Sequence, residues 1–204
     1  MDSHKLIIKL FAEDAAGVDE AAFVPVFHSF IQTHALSDHL LIDVADYTHV
    51  SDGPGTVLVS HEANISMDHT VGGRFGLMYQ RKQPIPGAQT FRDRLAAVFG
   101  YALRAAALLE EHSALTGQLG FRTGDVVFRI NDRLHAPNTP DTYQQVAAAL
   151  RELFGDLYRG SDVAIEQAKT SPLQLFQVNI RAARPPSIPA LLDRLPLPAT
   201  APSR

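Results

Sequence analysis

Seven ionisable residues crowd the stretch 43–69: Asp43, Asp46, His49, His61, Glu62, Asp68 and His69. Imidazole and carboxylate groups are what a divalent metal or a general acid–base pair requires. A hydrolase or lyase would draw its acid and base from Asp46, His49, His61 and Glu62. A metal-dependent version would take His49, His61 and Asp68 as ligands. The spacing matches no established motif, and Asp68-His69 ahead of Gly72-Gly73 also reads as ordinary turn composition. His61 shares a strand alternation with Val57 and Val59, which suits a half-buried, hydrogen-bonded imidazole equally well.

A second chemistry rests on arginine. Arg129, Asn131 and Arg133 alternate along one run, Gln177, Asn179 and Arg181 repeat the habit, and Tyr79 and Arg81 end a third. Guanidinium forks two positions apart on a strand suit carboxylate or phosphate recognition. The same residue types also suit the water-facing side of an antiparallel sheet, and that side would equally serve two subunits of a homodimer. A third candidate is the corner 131–139, where Asp132, His135 and Asn138 precede Thr139-Pro140-Asp141, a strong helix start. A helix opening there offers amides to an anion, or the polar residues brace the loop. The ligand-binding set is therefore Arg129, Asn131, Arg133, His135, Asn138, Arg181, Tyr79 and Arg81. His28 and His34, on the first helix, read as surface residues.

The elements that must position these groups follow from periodicity. Short apolar or alternating runs predict strands at 5–12, 39–47, 56–64, 74–82, 125–134, 162–168 and 174–182. Helical spacing predicts a first helix from the Asp19 cap, a long alanine-rich helix after Thr90 that ends near Gly117, and a third from Pro140 to Gly160. Strand, helix, strand, strand recurs at an offset near 120 residues, as two β-α-β-β repeats or as common α+β grammar. The expected fold is a two-layer α+β sandwich: a mixed, mostly antiparallel sheet with about three helices on one face. Residues 1–182 form the domain, and the proline-rich 183–204 a tail in which Ile188, Leu191, Leu192 and Leu195 make one amphipathic turn.

Composition narrows the classes further. The 204 residues include no Cys, which excludes disulfides, Cys-ligated metal and thiol nucleophiles. A net charge of −4 supplies no broad cationic field for nucleic acid or anionic lipid. No Walker A loop, Gly-x-Ser-x-Gly elbow or His-Glu-x-x-His is present, and the sequence leaves any cofactor unknown. Nothing resembles a secretory signal or a membrane span, so a cytoplasmic protein is expected.

The segments FVPVFHSFIQ (23–32), LLIDVADYTHV (40–50), GLMYQRK (76–82) and RINDRLHAPNT (129–139) resemble an uncharacterised family of bacterial proteins across roughly 5–182. The resemblance implies a bacterial, cytosolic, single-domain protein and carries no activity, cofactor or site. The sequence alone thus favours a non-enzymatic binding or adaptor protein that recognises an anionic small molecule or protein partner on an arginine-bearing sheet face. The alternative is a hydrolase or lyase built on 43–69.

Overall fold

The segment KLIIKLFA is apolar on both of its alternating faces, and the strand it forms lies inside a sheet with neighbours on either side. In the computed structural model, which describes residues 1–13 and 17–195, this is β1 (Leu6–Ala12). It is followed by a single 3-10 turn (Glu20–Ala22), α1 (Phe23–Thr33), β2 (Leu41–Tyr47), β3 (Gly55–Ser60), β4 (Ala63–Val71) and β5 (Arg74–Arg81). Then come α2 (Phe91–Glu111), β6 (Phe121–Ile130), α3 (Pro140–Leu157), β7 (Val163–Gln167), β8 (Phe176–Ala182) and α4 (Ile188–Arg194). The strands form one sheet in the order β2-β3-β4-β5-β1-β6-β8-β7, and every hydrogen-bonded pair is antiparallel. The expected parallel component is therefore absent from the pairing. Helices cover one side, giving the two-layer α+β sandwich.

The register explains the core. Ile8 aligns with Tyr79 and Phe128, and Leu10 with Leu77 and Val126, all on the helix side. Alanines at 96, 97, 102, 105 and 106 let α2 approach β1 and β5 closely, with Leu95, Val98, Phe99 and Leu109 filling the space between. Thr90 and Asp93 close a reciprocal capping box at its start. Among the described residues, no helix is long and apolar enough to cross a membrane.

Three comparisons with the sequence reading matter. The run 56–64 is not one strand: it turns at His61-Glu62, and 63–71 forms β4. No Gly or Pro marks that turn. Instead Ser60 Oγ donates to the Ala63 carbonyl and accepts from the Ala63 amide, which replaces the usual turn chemistry. Residues 183–195 are part of the packed structure, and the amphipathic turn expected at 188–195 is a helix. Ser187 caps α4, whose Ile188 and Leu191 are buried and which packs against α2. Residues 196–204 of the expected tail lie outside the described residues. Finally, β1-α1-β2-β3 and β6-α3-β7-β8 do sit about the central β1/β6 pair in matching order, with the β4–β5 hairpin inserted between β3 and β1.

The side without helices hides a charge pair. Lys9 and Asp68 are both fully buried, with Nζ 3.0 Å from Oδ1. Lys9 also donates to the carbonyls of Asp68 and Gly76 at 2.7 and 2.8 Å, so all three ammonium protons have acceptors. The hydroxyls of Ser66 and Thr70 and the Thr70 amide donate to the Asp68 carboxylate. Gly76 leaves the space: a Cβ there would lie 2.1 Å from the Leu10 carbonyl oxygen. Phe11, Val71 and Val127 pack alongside, with the Arg74 guanidinium 3.5 Å above the Phe11 ring. Burial draws the Lys9 ammonium down to about 8, against the pull of Asp68, so the pair stays ionised at neutral pH. Lys9→Met strands a buried carboxylate and should cost about 3–5 kcal/mol in urea unfolding. Lys9→Met/Asp68→Asn should cost much less than the two single changes added together.

Candidate functional site

The stretch 43–69 does not converge. Asp46 and His49 lie at one end of the β2–β3 hairpin, and His61 and Glu62 at the other, about 20 Å away at some 3.3 Å per residue. Each has a local explanation. Asp46 accepts from the Thr48 amide and hydroxyl, and Glu62 from the Leu40 amide. His61 is exposed in the turn rather than half-buried beside Val57 and Val59. His69 pairs with Glu20. Asp68, offered as a metal ligand with His49 and His61, is committed to Lys9. Among the described residues, no three of these residue types come close enough to hold a metal ion.

The arginines are placed on one side but not together. Arg129 lies opposite Gln177, and Arg181 opposite Asp125, so four residues along the strand separate them, about 13 Å. Arg129 donates from Nε to Gln177 Oε1, and Gln177 donates to Asn179. Asn131 lies just past the end of β6, its amide bonded to the Lys5 carbonyl. Arg133 is fastened to the Leu173 carbonyl. At the 131–139 corner, His135 turns back to Asp132. Asn138 donates to Thr170 and Ser171 and accepts from Gln167. That corner braces the loop between β7 and β8, as hydrogen-bonding residues ahead of a capped helix often do.

Tyr79 and Arg81 require a correction. Their register partners Ile65 and Ala63 face the helices, so both lie on the covered side, opposite to the face occupied by Arg129. Arg81 is held by the carbonyls of Gln83 and Pro84 and reaches the Tyr79 hydroxyl. Together they back a cleft of about 360 Å³ between the 35–39 loop, α2 and α4.

The left-handed His34 ends α1 and turns the chain into that loop. His39 follows, only 7% exposed, with Nε2 2.7 Å from the Tyr79 hydroxyl and its ring edge-on to Tyr101 at 4.9 Å. Because Arg81 donates to the Tyr79 oxygen, the phenolic proton is left for His39 Nε2, which puts the imidazole proton on Nδ1. That Nδ1 is buried with no partner among the described residues. At the mouth, Arg104 and Asp38 pair at 2.6 Å, both part-exposed. Leu36, Ala107, Leu108 and Leu192 form the apolar wall.

No family model, curated protein or solved structure matches this chain. The cleft must therefore be judged on its own chemistry. It combines an apolar wall, a partly exposed ion pair and a buried neutral histidine, the mixture expected of a small-molecule pocket. The residues that build it were missed in the sequence because they come from a loop and two helices far apart in the chain. Tyr101, Arg104, Leu108 and Glu111 recur at helical spacing on an alanine-rich helix, which is the available signal.

Burial, and then the nearby Arg81, push the His39 pKa down to about 4 from the ordinary 6.5. The unfolded chain therefore binds the extra proton first as pH falls. This contribution to stability is complete above pH 6.5 and is lost between about 6.5 and 4, a change of about 3 kcal/mol at 1.36 kcal/mol per unit. His39→Gln should remove that component from the pH dependence of urea unfolding. In the parent, the His39 ring resonances should stay those of neutral imidazole down to about pH 5.

Proposed function

We propose that the chain is a non-enzymatic binding protein whose ligand, a compact organic molecule, occupies the cleft beneath the 35–39 loop. The observation that carries this reading is the mixed lining: Leu36, Ala107, Leu108 and Leu192 face Tyr101 and the Asp38–Arg104 pair across one concavity. Its volume of about 360 Å³ lies within the roughly 300–1,000 Å³ of typical ligand pockets. Binding is favoured over catalysis because both His39 nitrogens are withdrawn, Nε2 to Tyr79 and Nδ1 into the interior. The separation of Asp46 and His49 from His61 and Glu62 weighs the same way.

A second reading places an anionic ligand or a protein partner, a second copy in a homodimer included, on the helix-free sheet face. Arg129 favours it: the side chain is partly desolvated, which lowers its pKa, and among the described residues it has no carboxylate partner in an ion pair. The cytoplasm is the compartment in which we place either activity.

The uncharged fluorophore N-phenyl-1-naphthylamine tests the cleft. It should bind the parent one-to-one with enhanced emission, and Ala107→Trp, which fills the wall, should weaken it about tenfold or more, or 1.4 kcal/mol. Unchanged binding by a folded Ala107→Trp variant overturns the cleft. Citrate binding lost in Arg129→Gln, or a dimer that this change dissociates, would favour the sheet face instead.

A further inference from the structure

All 18 Lys and Arg residues lie outside residues 10–73, whereas that segment holds ten of the 22 Asp and Glu. The segment builds α1 and the sheet edge β2-β3-β4, so that end of the molecule is acidic in a chain of net charge only −4. Several of these acids have partners: Asp38 pairs with Arg104, Asp68 with Lys9 and Glu20 with His69. Asp43 and Asp46, both exposed on β2, have no ion pair among the described residues.

The same edge is unusually apolar. Of the six large hydrophobic residues that are exposed among those described, four are on β2 or beside it: Leu40 at 64%, Ile42 at 56%, Tyr47 at 44% and Val50 at 44%. Among the described residues β2 pairs only with β3, so its outer side presents unpaired backbone there. Two amides of the strand and its turn are covered locally, Val44 by the Asp43 carboxylate at 2.8 Å and Thr48 by that of Asp46 at 2.9 Å.

From these observations we propose that β2 is a docking edge for an extended, basic segment of a partner protein, which adds to the sheet as a ninth strand. Asp43 and Asp46 lie three residues apart and on opposite faces of β2, so basic side chains three apart on the added strand would pair with one each, while apolar ones between and beside them cover Ile42 and Tyr47. Drawing either carboxylate aside frees the amide it covers, so ion pairing and strand addition are linked. A second copy fits poorly. Pairing β2 with its own copy would bring two acidic edges together, and residues 10–73 supply no Lys or Arg to offset Asp43 and Asp46. The bulge at Ile42 and the carboxylates thus work against self-pairing while leaving a basic strand welcome.

The test uses the full chain and three fluorescein-labelled peptides: acetyl-TVKVTKVT-amide, acetyl-TVEVTEVT-amide and the flexible acetyl-TGKGSKGS-amide. Anisotropy should show the first binding at least about tenfold more tightly than either other, a 1.4 kcal/mol preference. Amide NMR shifts should centre on residues 41–48. Asp43→Lys/Asp46→Lys should weaken binding by a similar factor while the far-UV spectrum and Tm stay close to the parent. Equal binding of the two lysine peptides, shifts centred elsewhere, unchanged affinity in the double variant, or self-association through β2 each overturns the proposal.

Discussion

A fully buried ammonium–carboxylate pair, Lys9 with Asp68, fastens the centre of this sheet to its acidic half. Lys9 sits on β1, Asp68 two strands away on β4, and the contact crosses β5 at the one position where a missing side chain makes room. Such a pair is weak evidence for added stability, since desolvating two charges offsets much of their attraction. What it supplies is register. A slip of β4 or β5 by one residue would turn Asp68 toward the helices and leave Lys9 buried alone. The irregular pairing of β4 with β5 between Asp68 and Val71 is thereby held at one place in the ladder.

With register settled, the two sides of the sheet diverge in character. The helix side is apolar through β1 and β6, and turns polar only near the β5 end, where Tyr79, Arg81, His39 and Tyr101 meet. Burying an imidazole there requires that it stay neutral, and the nearby Arg81 charge reinforces the effect of burial. The other side carries its polar groups in cross-strand rows, Asn64 and Gln80 beside Ile7, Arg129 and Gln177. Ile7, Phe11 and Val127 are buried on that side.

Much of the architecture was legible in the sequence because it depends on local signals. The Thr90 and Thr139 caps, the alanine stripe of α2 and the alternation of β6 each declare themselves within a dozen residues. Asp68 did not: beside Gly72-Gly73 it looks like a turn residue, and only the pairing of β4 across β5 to β1 reveals its partner. The same limit hid the cleft. Tyr79 and Arg81 alternate just as a water-facing pair would, but parity cannot say which face of a strand meets the helices. Asp46 resembled a catalytic carboxylate because a group that covers a backbone amide is the same group that would bind a proton.

The placement of β1 has a consequence for how the chain is made. This strand is made before its neighbours, apolar on both faces, since those neighbours are β5 and β6, which begin at residues 74 and 121. At synthesis rates of about 5–20 residues per second, the second of these lags by roughly 6–20 seconds. Throughout that interval Leu6, Ile8, Leu10 and Phe11 lack their native cover, while the meander β2 to β5 can already assemble from near neighbours. The nascent protein therefore passes through a stage in which an apolar strand is still uncovered beside a nearly finished sheet half.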